Sequence, residues 1–273
     1  MPHNYGLILA GGRGTRFWPR SRRKHSKQVL SVLGERTLIQ QTVDRLKPVL
    51  APEHLWVLTN ADLQDEIIRQ IAEVPRLQII AEPVARNTAP AIGLAGRILE
   101  SIDPDAVMGV FSADQIIGKP ARYLHAVRAA FRAAGQGRIA VLGIQPRWPE
   151  TGYGYIEFAA GAQAGKPAPV RKFREKPDLA TARRYVKSGR FYWNAGMFFW
   201  RASVLNEALQ LHLPRTASLL SALPRFGDRR FPARLREIFP QCEKISIDYA
   251  VLEKASGVIG VPWAGRHESA GRN

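Results

Sequence analysis

A glycine- and arginine-rich segment near the start of this sequence has the residue types for binding a charged ligand. It reads Leu9-Ala10-Gly11-Gly12-Arg13-Gly14-Thr15-Arg16 and follows a short apolar run. Glycine lets backbone N–H groups approach phosphate closely, and arginine and lysine add charged donors. The segment predicts a polyphosphate site with Arg13, Arg16 and Lys27 as donors. From these residues alone, a plain glycine turn with solvated arginines stays open.

Two common nucleotide-binding motifs do not fit this segment. A dinucleotide fingerprint requires a third glycine where Phe17 stands. A P-loop requires Gly-Lys followed by serine or threonine, whereas Gly118-Lys119 and Gly165-Lys166 are each followed by proline. The sequence therefore predicts a phosphate-binding loop of another kind.

An acidic residue stands at the end of a predicted strand, in the run Phe111-Ser112-Ala113-Asp114. A carboxylate in this place can bind Mg²⁺ through one or two oxygens, while phosphates and water complete the octahedron. An aspartate that only caps a helix or a turn is the structural alternative. Asp114 is accordingly a candidate metal ligand, and Mg²⁺ is the expected cofactor.

Several later segments carry further polar candidates, and each has a structural alternative. Glu82-Pro83-Val84-Ala85-Arg86-Asn87-Thr88 joins a predicted strand to a predicted helix, which Asn87 or Thr88 would cap even without a function. The others read Gly152-Tyr153-Gly154-Tyr155-Ile156, Phe173-Arg174-Glu175-Lys176-Pro177, Trp193-Asn194-Ala195-Gly196-Met197-Phe198 and Ser246-Ile247-Asp248. A Glu-Lys pair is usually solvated, and aromatic residues usually belong to the core. The ordered succession of these segments is the stronger signal.

The elements that must position these residues alternate between strand and helix. Short apolar runs at 5–10, 55–59, 77–81, 107–111 and 139–143 predict strands, with helical spacing of apolar residues between them. This order predicts an α/β fold with a mixed, mostly parallel sheet flanked by helices and with ligands beyond the carboxyl ends of the strands. Shorter β-like pieces at 153–158, 170–174 and 197–200 predict a smaller second lobe or an extension of the sheet.

Composition limits the class of protein. The chain of 273 residues has a formal net charge of +17 at pH 7, which predicts attraction to anions. Its single cysteine, Cys242, excludes an intrachain disulfide and a cysteine-rich zinc site. No apolar stretch reaches the roughly 18 residues of a membrane span, and no nucleic-acid-binding signature accompanies the basic residues. We therefore expect a cytoplasmic protein with neither a membrane nor a nucleic-acid partner.

The run from Gly11 to Arg22, which continues Phe17-Trp18-Pro19-Arg20-Ser21-Arg22 and is followed by Lys27-Gln28, resembles a known signature. It is similar to that of bacterial mannose-1-phosphate guanylyltransferases, a branch of the sugar nucleotidyltransferases. The resemblance implies a Rossmann-like, GT-A-like fold and a reaction that joins GMP from GTP to mannose-1-phosphate. The triphosphate would be held by Leu9, Ala10, Gly11, Gly12, Gly14, Thr15 and Arg16. Arg16, Lys27 and Asp114 would be catalytic, with Lys27 stabilising the departing pyrophosphate.

The same resemblance implies roles for the later segments. Glu82, Arg86 and Asn87 would contact the base or ribose, and Ser112 would also contact the nucleotide. The sugar phosphate would be bound by Gly154, Tyr155, Glu175, Lys176, Asn194 and Asp248. We expect residues 1–262 to form one nucleotidyltransferase domain, with a nucleotide-binding half at about 1–145 and a sugar-binding half at 146–262.

This chain departs from the family pattern at two places. Family members usually have histidine where Gln115 stands, and they continue into Asp-x-Gly-x-Trp, with a second metal-binding aspartate, where this chain reads Pro262-Trp263-Ala264-Gly265. A metal held by one protein carboxylate would depend on phosphates and water for its other ligands. Residues 263–273 are therefore expected to be an atypical tail, as a truncation would leave. Another sugar-1-phosphate nucleotidyltransferase, a nucleotide-binding form with impaired catalysis, and a homodimer all stay open.

Overall fold

The computed structural model describes residues 3–12, 26–31, 34–263 and 267–269. The strands are β1 (Asn4–Leu9), β2 (Leu55–Asn60), β3 (Ile79–Glu82), β4 (Val107–Ser112), β5 (Gln115–Ile117), β6 (Ala140–Ile144), β7 (Tyr155–Phe158), β8 (Ala168–Arg174), β9 (Phe191–Arg201), β10 (Ile259–Trp263) and β11 (His267–Ser269). The α-helices are α1 (Leu38–Leu46), α2 (Gln64–Gln70), α3 (Thr88–Ile102), α4 (Pro120–Gly135), α5 (Leu179–Ser188), α6 (Ala202–His212), α7 (Pro214–Ser221) and α8 (Phe231–Ile238).

One large sheet organises the described part of the chain. Its strand order is β3-β2-β1-β4-β9-β6-β10-β8-β7. The first four strands pair in parallel, as predicted for the nucleotide-binding half. From β9 onward most pairings are antiparallel, and β10 beside β6 is the parallel pair in this half. The later β-like pieces therefore extend the same sheet, which confirms the predicted mixed α/β fold.

Both faces of the sheet are covered by apolar side chains. Leu7 and Ile8 are adjacent in β1 and fully buried, yet they belong to different core clusters. This is the arrangement expected when helices pack on both faces of a parallel sheet, because successive side chains of a strand point to opposite faces. The polar ends of the strands are then the places that can carry a ligand site.

Local sequence signals fix the helices that follow those strand ends. Thr37 and Gln40 form a reciprocal capping box at the start of α1. Asn87 caps α3 with its side chain and has a φ of 68°, a conformation that asparagine tolerates better than most residues. Asp178 caps α5, and Gly189 ends it in the left-handed conformation. Within the described residues, no helix is both long enough and apolar enough to cross a membrane.

Candidate functional site

A cavity of about 900 Å³ lies where β1, β3 and β4 end. Both halves of the chain contribute to its walls. The predicted site residues that line it are Leu9, Gly11, Gly12, Glu82, Asn87, Ser112 and Asp114 from the first half, and Gly154, Glu175, Asn194 and Asp248 from the second. The structure thus brings most of the predicted nucleotide and sugar contacts together around one space, at the sheet edge where α/β folds bind ligands.

The described part of the glycine loop is held by hydrogen bonds to its carbonyl oxygens. Thr59 Oγ1 donates to the Ala10 carbonyl at 3.2 Å, and Asn60 Nδ2 donates to the Gly11 carbonyl at 3.2 Å. The Gly12 carbonyl accepts from Ser26 Oγ at 2.8 Å and from Gln28 Nε2 at 2.9 Å. These bonds occupy the oxygens that would repel a phosphate. Gly14, Thr15 and Arg16, together with Arg13, lie outside the described residues.

Lys27 and Asp114 form an ion pair at the end of β4. The distance from Lys27 Nζ to Asp114 Oδ2 is 3.0 Å, and the two side chains are 9% and 33% exposed. The other carboxylate oxygen of Asp114 accepts a hydrogen bond from Ser112 Oγ. Two of the three predicted catalytic residues are therefore in contact, although 87 positions separate them in the sequence.

The residues around Asp114 fit a magnesium ion only if the ligand supplies further oxygens. The Asp114 carboxylate already holds one cation, the Lys27 ammonium, and such hard oxygens are the ligands that Mg²⁺ prefers. Within the described residues, no group of three or more His, Cys, Asp or Glu side chains is placed to bind a metal. A metal at Asp114 would accordingly require phosphate oxygens and water.

Glu82 forms the part of the cavity wall at the end of β3. Burial raises the pKa of its carboxyl group to about 7. A carboxylate in a low-dielectric wall recovers its lost hydration when a ligand donates hydrogen bonds to it. Glu82 is thus suited to accept N–H groups from a bound base.

Five described residues of the predicted site do not line the cavity: Ala10, Lys27, Arg86, Tyr155 and Lys176. The Arg86 guanidinium donates to the Pro240 carbonyl and is not among the lining residues. Ala10 and Tyr155 are fully buried. The Tyr155 hydroxyl donates to the Glu150 carbonyl at 2.8 Å and accepts from Trp193 Nε1 at 3.1 Å, so it belongs to the core.

The predicted sugar contacts form a connected group on the opposite wall. Asn194 Nδ2 donates to Asp248 Oδ1 at 2.9 Å, and the Asn194 backbone N–H donates to the Gly154 carbonyl at 2.7 Å. Glu175 stands so close to Gly154 that a Cβ atom at position 154 would overlap its carboxylate. The group presents amide and carboxylate oxygens, which can bind sugar hydroxyls.

The two carboxyl groups of this group, at Glu175 and Asp248, have different electrostatic surroundings. Burial, followed by the neighbouring Glu175 carboxylate, raises the pKa of Asp248 to about 6. Lys176 forms an ion pair with Glu175, and this hydrogen bond raises the pKa of the Lys176 ammonium. Lys176 is not itself among the cavity-lining residues, and its contact with the cavity wall is the ion pair with Glu175.

Sequence reasoning missed several lining residues. Gln28, Gln115, Tyr153 and Lys244 all face the cavity. Gln115 Nε2 donates to the Ala195 carbonyl at 2.8 Å, while its buried Oε1 has no hydrogen-bond partner among the described residues. For Gln28 and Gln115 the sequence does indicate a place near the site, because they directly follow Lys27 and Asp114. For Lys244 the sequence gives no such indication, because this residue lies in a loop far from the glycine segment.

Comparison with known proteins identifies the family. The profile of the nucleotidyl transferase family matches residues 5–226. This chain belongs to the nucleotidyl transferase family. The matched range includes the glycine loop, Asp114 and Asn194, and therefore residues of both cavity walls, while the lining residues Lys244 and Asp248 lie beyond it.

Curated relatives within this family share about two fifths of the aligned residues. A mannose-1-phosphate guanylyltransferase of Sinorhizobium fredii is 39% identical over 262 residues, which cover 94% of this chain and 51% of the relative. One of Salmonella muenchen is 41% identical over 263 residues, which cover 94% of this chain and 55% of the relative. The chain thus spans about half the length of the curated relatives it matches.

Solved structures with the same fold include two with mannose phosphates in their descriptions. A Thermus thermophilus structure described as a mannose-1-phosphate geranyltransferase is 32% identical, with a TM-score of 0.85 and coverage of 98% of this chain and 76% of that one. A Helicobacter pylori structure described as a mannose-6-phosphate isomerase is 23% identical, with a TM-score of 0.77 and coverage of 97% and 99%. The second likeness supports the fold alone.

Proposed function

We propose that this nucleotidyl transferase moves GMP from GTP to mannose-1-phosphate, forming GDP-mannose and releasing pyrophosphate. The observation that carries the proposal is the cavity that Gly11, Gly12 and Asp114 share with Glu175, Asn194 and Asp248. A polyphosphate wall and a hydroxyl-binding wall around one space suit a reaction between a nucleotide and a sugar phosphate. The names of the curated relatives support the same substrates.

The chemistry asks the protein for alignment and charge neutralisation. A phosphate oxygen of the sugar phosphate attacks the α-phosphorus of GTP, a new P–O bond forms, and the bond to the β-phosphate oxygen breaks. The attacking phosphate is already ionised near neutral pH, so no general base is required. Positioning two polyanions in line supplies most of the rate enhancement in such transfers.

Lys27 and Asp114 are proposed to balance the charge of the phosphates. The Lys27 ammonium, 3.0 Å from Asp114 Oδ2, would stabilise the leaving pyrophosphate as its negative charge grows. Asp114 would hold Mg²⁺ together with phosphate oxygens, and the metal would neutralise phosphate charge when bound. Arg16, outside the described residues, is proposed as a further triphosphate donor.

Glu82 supports the choice of guanine. Guanine presents adjacent N1–H and N2–H donors, and one ionised carboxylate can accept both hydrogen bonds. Adenine lacks this pair of donors, so it would leave a buried carboxylate without compensation. Asn87 follows in the same segment and also lines the cavity, and it is proposed as a further contact of the base or ribose.

Substrate profiling tests the proposal. Purified protein with Mg²⁺ is incubated with each combination of GTP, ATP, UTP or dTTP and mannose-1-phosphate or glucose-1-phosphate, and nucleotide sugars are identified by mass spectrometry. GDP-mannose should form fastest. A faster product with another base or sugar would favour a different sugar nucleotidyltransferase, and GTP binding without any product would favour a nucleotide-binding form with impaired catalysis. Location in the cytoplasm and a homodimer stay predictions.

A further inference from the structure

We propose that Lys244 is a phosphate-binding residue of the central cavity, and this inference rests on the function proposed above. Lys244 lines the cavity and is exposed. It has no ion pair or hydrogen bond with any other residue that the structure describes. An uncompensated ammonium facing a site for polyanions is available for a phosphate oxygen.

The other charged residues that line the described cavity wall are carboxylates. Four carboxylates line the cavity, at Glu82, Asp114, Glu175 and Asp248. Among the described lining residues, Lys244 is the only lysine or arginine. The neighbouring ammonium groups of Lys27 and Lys176 are engaged by Asp114 and Glu175. An incoming phosphate therefore meets an unengaged ammonium at Lys244.

The backbone of Lys244 is fixed against the start of α3. The carbonyl of Ile245 accepts from the Ala89 N–H at 3.1 Å, and the N–H of Ile247 donates to Thr88 Oγ1 at 2.9 Å. On the other side, Glu243 accepts from Thr216 Oγ1 at 2.8 Å. The segment is anchored on both sides of Lys244, so its side chain starts from a defined position while its ammonium can reorient.

The first N–H groups of α3 cannot bind the phosphate in place of Lys244. The Thr88 N–H donates to Asn87 Oδ1 at 2.8 Å, the Ala89 N–H donates to Ile245, and Pro90 has no N–H. A helix start normally offers such groups to anions. Because the first three positions offer none here, a phosphate near this wall would depend on a side-chain donor, and Lys244 is the cation that the described wall provides.

The phosphate could belong to either substrate. Lys244 precedes Ile245, whose carbonyl accepts from the Ala89 N–H at the start of α3, and it shares the cavity with Asp248, which is hydrogen bonded to Asn194. Both substrates carry phosphoryl oxygens that the Lys244 ammonium could bind. Separate kinetic measurements for the two substrates distinguish the sources.

The test compares Lys244→Gln and Lys244→Arg with the control Lys254→Gln. Lys254 is exposed, lies ten positions further along the chain and is not among the cavity-lining residues, so its substitution makes the same charge change elsewhere. KM for GTP, KM for mannose-1-phosphate and kcat are measured, and calorimetry gives the Kd of mannose-1-phosphate and of GDP without turnover.

We expect Lys244→Gln to raise KM and Kd for one substrate by roughly 10- to 150-fold, the range for a hydrogen bond to a charged group. The value of kcat should change by less than about threefold, because the contact is made before and during the transfer. Lys244→Arg should recover most of the affinity, and Lys254→Gln should match the wild type. The substrate affected identifies the phosphate.

Equal values for Lys244→Gln and Lys254→Gln would overturn the proposal, whether both are unchanged or both are weakened. If the wild type forms GDP-mannose and Lys244→Gln does so with unchanged constants, the inference fails and the proposed function stands. If the wild type neither binds nor converts the substrates, the proposed function itself fails.

Discussion

Coupling between Lys27 and Asp114 can be measured as a difference in stability. Their side chains are 9% and 33% exposed, so the pair lies between a fully buried and a solvated one. Removing one partner of a buried pair costs about 3–5 kcal/mol, whereas exposed pairs contribute about 0–1 kcal/mol. For Asp114→Ala, which leaves the less exposed ammonium without this carboxylate, we expect a loss of about 2–3 kcal/mol in unfolding free energy.

A double-mutant cycle separates the pair from the effect of each substitution. Unfolding in urea is followed for the wild type, Lys27→Met, Asp114→Ala and the double variant. The double variant should lose about 1–2 kcal/mol less than the sum of the single losses, because each single variant removes one member of the ion pair and the double variant removes both. The exposed pair of Arg234 and Glu237, at 2.6 Å, is the control and should couple by less than about 1 kcal/mol. Additive losses at Lys27 and Asp114 would refute the pairing.

Three further predictions follow from other parts of the site. Burial raises the pKa of Glu82 from 4.5 to about 7, so its contribution to stability is fully present below pH 4.5 and is lost as the pH rises through about 7. Urea unfolding at several pH values should show the wild type losing stability relative to Glu82→Gln over this range, and a constant difference would contradict it. Gly154→Ala should raise KM for mannose-1-phosphate by about tenfold or more with GTP affinity unchanged, because the new methyl group would displace the Glu175 carboxylate; calorimetry with each substrate decides, and equal weakening of both would argue against it. Removing divalent metal with EDTA should abolish pyrophosphate release, and added Mg²⁺ should restore it; release that persists in EDTA would exclude the proposed role of Asp114.

The strand ends that build the site could be predicted from the sequence. The apolar runs predicted at 5–10, 77–81 and 107–111 each lead into polar or glycine residues, and the strands end within one residue of these predictions, at Leu9, Glu82 and Ser112. In a parallel sheet such ends meet at one edge. The second half is harder to delimit. The sequence predicts a strand at 197–200, whereas β9 covers Phe191–Arg201. Asn194 and Gly196 occupy half-buried positions of the alternating first part of β9, and a polar residue and a glycine weaken the strand signal there.

Side-chain direction explains why some predicted contacts lie elsewhere. Gly154 lines the cavity, but the next residue, Tyr155, begins β7 and is buried in the core. Successive residues of an extended chain point to opposite sides, so both could not face the same cavity. Arg86 contacts Pro240, which is 154 positions away. Lys244 lines the cavity next to Ile245, whose carbonyl accepts from the Ala89 N–H at a similar distance along the sequence. No local pattern in the sequence carries that information.

A crystal structure of the protein soaked with GDP-mannose tests the central claim most directly. The claim is that one cavity holds both the nucleotide and the sugar. We predict density for the ligand across this cavity, with guanine at Glu82, phosphates near Asp114 and Lys27, and mannose at Glu175 and Asn194. A ligand bound elsewhere, or an empty cavity at a concentration that saturates binding in solution, would contradict the account.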